Sequence, residues 1–512
     1  MSGLLPILIV VGVLLDSPAQ AAAETSPAPV LNPLRRGELL ARAHCATCHL
    51  FPPPGGLDQK TWKEQTLPRM KMRMGLAPAM LDRQKEADII KQTTGWLKTA
   101  PISIEDFELI SGYYSARAPV ELPPQDPHPE IEVGLAQFQY ERPAFRHSNP
   151  STSAVHIDSK RHQIFLGDNE TKSMTLLSEK GIFLKTVPLQ NVPVQFSPRQ
   201  EDLWITCIGS FLPTEKRLGG LSIWEPKSDS WQMKRAVLTG LPRTTHVEQA
   251  DLNGDGRDDL VVCQYGNNIG QFSWFEQMPN GSYSEHILIQ KSGAMRAVIR
   301  DLNGDKKPDI VVLFAQETEA LYVLTNKGGG EFAPPRTLLQ RPPMFGHTGF
   351  ELVDFDRDGR MDFLVTNGDN GEYASPNKKY HGIRLLLDRG DRYHEAFFLP
   401  LHGAFRAIAR DFDSDGDLDI AAISYYPDYE KTPTESFVYF ENDGAGKFRP
   451  QTFRECVTGR WLVMDVGDID GDGDDDIVLG SFIHGPSDVP DFLMLDWEKS
   501  GPSAVLLRNR TK

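Results

Sequence analysis

Short apolar runs recur from about residue 146 to the end of the chain, each separated from the next by turn-forming residues. Leu260-Val261-Val262 and Ile477-Val478-Leu479 are two clear examples, and each follows an aspartate-rich loop. Apolar runs of this length between glycine and aspartate predict buried β-strands. In residues 103–118 the spacing changes, because Phe107, Ile110 and Tyr114 recur at helical intervals. The pattern therefore predicts a short helical part followed by a long all-β part.

The acidic loops form a repeat. They begin 50, 53, 57 and 57 residues apart, at Asp251, Asp301, Asp354, Asp411 and Asp468. This period is the length of one four-stranded propeller blade. Degenerate traces at residues 154–166 and 202–206 supply two more blades, so we predict seven, with six or eight as alternatives. A terminal strand near residues 504–507 would complete a blade begun around residues 131–138.

Each loop carries carboxylate or amide side chains at positions one, three, five and nine. Alternate oxygens at these positions can converge on one hard cation, which is calcium chemistry. The predicted calcium ligands are Asp251, Asn253, Asp255, Asp259, Asp301, Asn303, Asp305, Asp309, Asp354, Asp356, Asp358, Asp362, Asp411, Asp413, Asp415, Asp419, Asp468, Asp470, Asp472 and Asp476. Lys306 replaces the glycine that the other loops have at position six. We therefore expect four to five calcium ions.

These loops resemble the FG-GAP/VCBS propeller family, the type seen in integrin α-subunits, over roughly residues 146–505. An EF-hand would need a glutamate at position twelve and flanking helices, whereas position twelve here is apolar. The resemblance implies a calcium-stabilised propeller that binds a partner or a substrate.

The strongest short motif is Cys45-Ala46-Thr47-Cys48-His49. In C-x-x-C-H two thiols form thioethers to a haem and the imidazole binds the iron. A zinc site or a redox-active cysteine pair is the alternative. Zinc would need two more ligands, and this segment has no second cysteine pair.

The flanks of this motif resemble a small all-α class I cytochrome c domain over residues 32–118. The resemblance implies a helix at residues 35–43, a second helix from Ser103, and contact between Gly37 and Tyr113 or Tyr114. It also implies a methionine as the second axial ligand. The Leu-Pro-x-Met context favours Met70, with Met74 as the alternative; Met72 and Met80 are further candidates.

Domain boundaries follow from these assignments. An apolar run from Leu4 to Leu15 and the small residues Ala19-Gln20-Ala21 predict a signal peptide at residues 1–21, and an uncleaved anchor is the alternative. Residues 32–118 are the haem domain, residues 119–130 a proline-rich linker and residues 131–512 the propeller. We expect a periplasmic or secreted protein with no membrane span after signal removal.

Charge is distributed unevenly. The net charge is −16, with +4 on residues 32–120 and −18 on residues 121–512. So acidic a propeller argues against a nucleic-acid partner. Arg69, Lys71 and Arg73 interleave with the methionines and would form a basic collar at the haem edge. Cys207 and Cys263 each follow an apolar stretch and are expected as buried thiols in strands, with a disulfide as the alternative.

Basic residues also precede the loops at a fixed offset. His246, Arg296 and Arg406 each stand five residues before a loop, and His347 and Arg460 occupy nearby offsets. We predict that they gather at one mouth of the central channel, where they would bind an anionic group; solvated strand ends are the alternative.

Three functions remain open on this basis. The leading one is electron transfer by a single haem c, with a redox protein or a small-molecule donor as partner, in a fusion that resembles bacterial cytochrome c–VCBS proteins. The second is a complete periplasmic oxidoreductase with its substrate in the propeller funnel. The third is an adhesion or glycan-binding propeller with a haem sensor.

Overall fold

The computed structural model describes residues 32–76 and 99–511, except for residues 229, 317, 372–375, 391, 445 and 488. The predicted signal peptide and Met80 lie outside the described residues. Among the described residues, no helix combines the length and apolar character that a membrane span requires.

The all-β part is a seven-bladed propeller. Its sheets each have four main strands, and the first strands of successive blades contact one another in a closed ring. Blades 1 and 2 consist of Thr152–Asp158, Gln163–Asp168, Ser173–Ser178 and Phe183–Pro188, then Pro193–Arg199, Asp202–Cys207, Gly219–Lys227 and Ser230–Leu241. Blades 3 and 4 consist of Thr244–Ala250, Asp259–Gln264, Gln271–Gln277 and Tyr283–Ile289, then Ala294–Arg300, Asp309–Phe314, Glu319–Leu324 and Arg336–Arg341. Blade 4 also carries a small hairpin of Asn326–Gly328 and Glu331–Phe332.

The remaining blades complete the ring. Blades 5 and 6 consist of His347–Val353, Asp362–Asn367, Gly382–Asp388 and Tyr393–Pro400, then Ala404–Arg410, Asp419–Ser424, Phe437–Asn442 and Phe448–Thr452. Blade 7 consists of Trp461–Gly467, Asp476–Ser481, Ala504–Asn509 and Phe138–Glu141. The last two strands pair antiparallel, with Tyr140 opposite Leu507, so the predicted closure of the ring is confirmed. The predicted position at residues 131–138 is wrong, because the closing strand is Phe138–Glu141 and Glu132–Val133 pairs with blade 6 instead.

Apolar residues on the inner strands build the core between neighbouring blades. Leu260, Val261 and Val262 are fully buried, as are Ile477 and Val478. Both faces of these strands are covered by adjacent sheets, which is why their sequences are continuous apolar runs and do not alternate. A further helix, Asp491–Ser500, packs outside blade 7.

Two long helices lie before the propeller. They span Pro33–His44 and Ile104–Arg117, and the short helical segments Pro54–Gly56, Gln59–Thr61, Trp62–Thr66 and Leu67–Arg73 lie between them. Ser103 caps the second helix by accepting a hydrogen bond from the backbone N–H of Asp106 at 3.1 Å, as predicted. The helices alone do not identify a haem domain, so that assignment stays a prediction.

Gly37 is where the two helices meet. A Cβ built on Gly37 would lie 2.2 Å from the carbonyl oxygen of Leu109 and 3.1 Å from the Cβ of Tyr113. The predicted contact between Gly37 and Tyr113 is therefore confirmed. Tyr114 packs beneath it against Trp62, with ring centroids 4.2 Å apart.

The helical part rests directly on blade 5. Met344 is buried in the core of the helical part, and a Cβ on Gly56 would lie 2.9 Å from its terminal methyl carbon. The Tyr380 hydroxyl donates to the carbonyl oxygen of Gly56 at 2.9 Å, and the Tyr380 ring stacks on Phe345. These contacts hold the two parts against each other without relying on the linker.

The linker itself follows the propeller surface. The side chain of Gln125 donates to the carbonyl oxygen of His381 at 2.7 Å, and the short strand Glu132–Val133 pairs parallel with the last strand of blade 6. Nε2 of His128 lies 3.7 Å from Oε1 of Glu435, a carboxylate that is 1% exposed. Nδ1 of His402 lies 3.0 Å from the other oxygen of the same carboxylate.

The substitution Gly37→Ala should destabilise the helical part by roughly 1–3 kcal/mol, because the new methyl group meets a backbone carbonyl that cannot rotate away. Gly112→Ala is the matched control, since a Cβ on Gly112 meets nothing within 4 Å. The control should gain about 0.5–1 kcal/mol from helix propensity. Hydrogen exchange of the two helices in the full chain measures the effect of each substitution. Equal protection in Gly37→Ala and Gly112→Ala would contradict the close contact at Gly37.

The contact between His128 and Glu435 should make linker docking pH-dependent. The interaction with Glu435 raises the pKa of His128. Burial alone would raise the pKa of Glu435, but the interactions with His128 and His402 outweigh it and lower this pKa to about 2. A raised histidine pKa contributes stability that is fully present below about pH 6.5 and lost as the pH rises through the folded-state value.

The docked linker should therefore be more stable in the wild-type protein than in His128→Gln, and this difference should be largest between about pH 4.5 and 6.5. The difference should shrink above that range and, as Glu435 becomes protonated, also below it. Proteolysis of residues 119–130 across a pH series measures the docking, with the exposed His394→Gln as control. A pH-independent difference would refute the assignment.

Candidate functional site

The C-x-x-C-H motif follows the first helix directly. Cys45 is the C-terminal cap residue of Pro33–His44, and Cys48 and His49 lie in the turn that follows. Burial raises the pKa of the Cys45 thiol to about 11. Nδ1 of His49 lies 2.9 Å from the carbonyl oxygen of Leu50.

The motif forms one wall of a large cavity. The cavity has a volume of about 1900 Å³, and its helical wall includes Cys45, Cys48 and His49. Trp62 and Phe107 supply an apolar lining on the same side. Trp62 is fixed there by a hydrogen bond from its indole nitrogen to the carbonyl oxygen of Pro54 at 2.8 Å.

Two of the candidate methionines reach this cavity. Met70 and Met74 both line it, and both are partly buried against the helical core. Met72 is not among the lining residues. The choice between Met70 and Met74 as axial ligand stays open.

The opposite wall is the mouth of the propeller's central channel. Each of the seven inner strands carries one extra, unpaired residue at its second position, which is a β-bulge. All seven bulge residues line the cavity, and they are Ser153, Val194, Thr245, Met295, Thr348, Phe405 and Leu462. The ring of bulges thus forms a floor that faces the C-x-x-C-H motif.

Three of the predicted basic residues gather on this floor. His246, Arg296 and Arg406 each follow a bulge directly, and each lines the cavity. The prediction that they share one mouth of the channel is confirmed.

The same prediction is wrong for the other two basic residues. His347 is buried with its Nδ1 3.0 Å from Glu319, and burial together with two nearby arginines lowers its pKa to about 3. Arg460 is fully buried, stacks on Tyr425 at 3.9 Å and donates to the carbonyl oxygen of Pro486 at 2.9 Å. Both brace neighbouring segments and neither lines the cavity.

Sequence reasoning missed the bulge residues themselves. Met295 and Phe405 carry no chemical signal, but each stands inside an Ala-x-Arg-Ala stretch, at residues 294–297 and 404–407. The bulge residue is the one directly before the arginine in this shared pattern, so the pattern could have located the bulge.

The acidic loops lie at the other end of the inner strands. Each one connects the first strand of blades 3 to 7 to the second, whereas the bulges lie near the start of the first strand. A seven-residue strand is roughly 20 Å long, so loops and cavity occupy opposite faces of the propeller.

Three loops bring carboxylates together. Positions one, three and five place oxygens within 4.8 Å of one another in the sets Asp354, Asp356 and Asp358; Asp411, Asp413 and Asp415; and Asp468, Asp470 and Asp472. Oδ1 of Asp354 is buried and has no hydrogen-bond partner among the described residues. In the first two loops position three is an asparagine, which supplies an amide oxygen.

Backbone conformation in the loops is uniform. Position six has a positive φ in all five loops, including Lys306 at +66°, so the predicted sharp turn is present even where glycine is absent. Position four also has a positive φ in all five, and Arg357 and Ser414 adopt it without glycine. The second loop also has Nζ of Lys307 3.9 Å from Asp305.

The ninth-position aspartate anchors the loop to its blade. In the first loop Asp259 accepts hydrogen bonds from the backbone N–H of Leu252 at 3.2 Å and of Gln277 at 2.8 Å. Asp309, Asp362 and Asp476 repeat this pair of bonds, and Asp419 accepts from Asn442. Oδ2 of Asp476 also accepts from Arg508, and Asp419 also accepts from the Tyr439 hydroxyl. Calcium ligation by this position stays a prediction.

The three remaining cysteines are free thiols. Cys207 and Cys263 lie in strands, and Cys263 and Cys456 are fully buried. The expectation of a buried thiol in a strand is confirmed for Cys263, whereas Cys207 lies in its strand but is only partly buried. Neither forms a disulfide.

Comparisons with known proteins agree with the repeat assignment. The FG-GAP-like repeat family matches residues 251–312, 301–365 and 411–479, which contain all five acidic loops. The chain therefore carries FG-GAP-like repeats within a seven-bladed propeller, a fold suited to binding a partner or ligand. Cartilage acidic protein 1 of Homo sapiens is 24% identical over 215 residues, which cover 38% of this chain and 31% of that protein. The match thus spans less than a third of the relative's length.

Two solved structures show weak similarity to this chain. Sqt1 of Saccharomyces cerevisiae has a TM-score of 0.44 at 9% identity and covers 74% of this chain and 100% of its own. BBS1N, solved in complex with ARL6DN, has a TM-score of 0.43 at 12% identity, and the match covers 75% of this chain and 99% of the BBS1N chain. Likeness at this level carries no argument about function.

Proposed function

We propose that this chain is an exported c-type haem protein for one-electron transfer, whose calcium-stabilised propeller binds the redox partner or substrate beside the haem. One observation carries the proposal: the C-x-x-C-H motif and the two candidate methionines line the same cavity as the mouth of the propeller channel.

The residues around the cavity fit a haem c. Cys45 and Cys48 would form the thioethers, while Nε2 of His49 and the sulfur of Met70, or of Met74, would bind the iron. Haem c would supply reversible one-electron exchange at a potential that its axial ligands set. Arg69 and Arg73 also line the cavity and would pair with the haem propionates.

The apolar wall has a role of its own. Trp62 and Phe107 are almost fully buried and exclude water from the helical side of the cavity. A dry surrounding strengthens electrostatic interactions at the site and limits solvent reorganisation when charge moves.

The acidic loops fit calcium in a structural role. Convergent carboxylates that repel one another when empty are stabilised by a divalent cation, which takes six to eight oxygen ligands. Since these loops lie on the face opposite the cavity, calcium would stiffen the inner strands and would not take part in electron transfer.

The shared cavity also favours a second candidate function. A cavity of about 1900 Å³ has room for a haem and a small molecule together, since ligand pockets commonly measure about 300–1,000 Å³. The chain would then be a complete oxidoreductase that passes electrons from a bound substrate to its own haem.

Mature protein made with periplasmic haem maturation should contain one covalent haem per chain. A pyridine haemochrome assay measures the haem, and the weak red-edge sulfur–iron band of the oxidised spectrum reports the methionine ligand. Met70→Ala should remove this band and Met74→Ala should keep it; the reverse result would make Met74 the ligand. Absence of covalent haem would refute electron transfer.

Calcium should raise the melting temperature, and a chelator should lower it, because the ion binds only the folded loops. Asp411→Ala should remove about one bound calcium per chain, since it breaks a three-carboxylate set. Asp301→Ala, in the loop with Lys306, should change the calcium count least. Elemental analysis with thermal unfolding measures both, and an unchanged calcium count in Asp411→Ala would contradict the site.

A further inference from the structure

Arg296 and Arg406 are unusual among the residues that line the cavity. Both stand directly after the bulges of blades 4 and 6 and face the C-x-x-C-H wall. Nε of each guanidinium is buried and has no hydrogen-bond partner among the described residues. Nitrogen donors buried in this way normally have an acceptor.

Carboxylates nearby are already engaged. Asp465 lies 3.2 Å from Nδ1 of His156, and Glu351 lies 2.7 Å from Arg410. Within the described part of the chain, no ion pair joins either Arg296 or Arg406 to an acidic side chain. The two arginines therefore bring positive charge into the channel mouth that nearby carboxylates offset only in part and without an ion pair: Asp465 and Glu351 act on Arg406, and Glu248 on Arg296.

Burial and proximity make this charge unfavourable. The pKa of Arg406 is lowered to about 10, first by burial and then by Arg296. Burial and the same two arginines lower the pKa of His246 well below its usual value. A bound anion would relieve the repulsion and accept the unused hydrogen bonds.

The side chains that line the cavity carry a net positive charge. Eight Lys or Arg side chains line it, against two acidic ones, Glu319 and Asp369. The chain as a whole carries −16. A concave basic site on an acidic protein concentrates small anions there.

We propose that Arg296 and Arg406 bind the oxyanion group, a carboxylate or a phosphate, of a small organic molecule held between the propeller and the C-x-x-C-H wall. The stacked rings of Phe211 and Phe482, 4.6 Å apart, and the bulge residue Phe405 offer its apolar part a surface on the same cavity. The inference names the ligand class for the binding role proposed for the propeller, and it rests on that role.

Calorimetric titration of the mature full-length protein tests this site, with succinate and inorganic phosphate as separate probes at constant ionic strength. At least one probe should bind saturably. Arg296→Gln and Arg406→Gln should each weaken it by about tenfold or more, since each removes a charged hydrogen-bond donor. Arg235→Gln, at an exposed arginine of blade 2, should bind as the wild type does.

Charge-preserving variants separate the site from misfolding. Arg296→Lys and Arg406→Lys should keep more of the affinity than the glutamine variants, and near-UV circular dichroism checks that all variants fold. The tighter of the two probes identifies carboxylate or phosphate as the preferred group. Equal affinity in wild type and the glutamine variants, or no saturable binding of either probe, would overturn the proposal.

The haem content of the same samples keeps the two proposals apart. Arginine-dependent binding by a chain without covalent haem would leave the anion site standing and remove electron transfer. Covalent haem in a chain whose anion binding does not depend on the arginines would support electron transfer and overturn the anion site.

Discussion

Ring closure is the interaction on which the other features depend. Phe138–Glu141 pairs with Ala504–Asn509, so a strand from before blade 1 completes blade 7 and leaves the ring without an open seam. Because the ring is closed, seven inner strands converge and their bulges meet on one floor. The closing strand follows the linker by only a few residues, and so it also fixes where the helical part can sit.

Each inner strand carries different chemistry at its two ends. Its first residues hold the bulge and, in blades 3, 4 and 6, a basic side chain that faces the cavity. In blades 3 to 7 its far end leads into an acidic loop, where the ninth-position carboxylate is held by backbone N–H groups such as that of Gln277. The rigid strand keeps a cationic mouth and acidic loops apart, so that each sign of charge can act without cancelling the other.

Much of this arrangement was predictable from local patterns. Five copies of an aspartate loop at blade-length spacing predicted the propeller, and Ser103 predicted its helix because capping involves residues only three positions apart. The offset of five residues placed His246, Arg296 and Arg406 together, since equivalent positions of propeller blades meet at the channel. The same reasoning failed for His347 and Arg460, because their partners Glu319 and Tyr425 come from neighbouring blades and no local spacing reveals them.

The sequence by itself determined the kinds of element, the blade period, the loop chemistry and the motif that could hold a haem, because all of these depend on residues close together along the chain. Tertiary structure alone decided that the C-x-x-C-H wall faces the propeller mouth. That placement depends on contacts such as Tyr380 with Gly56, which are 324 residues apart, and on Met344 entering the helical core. Contacts of this kind are made by ordinary side chains that only the folded backbone brings together.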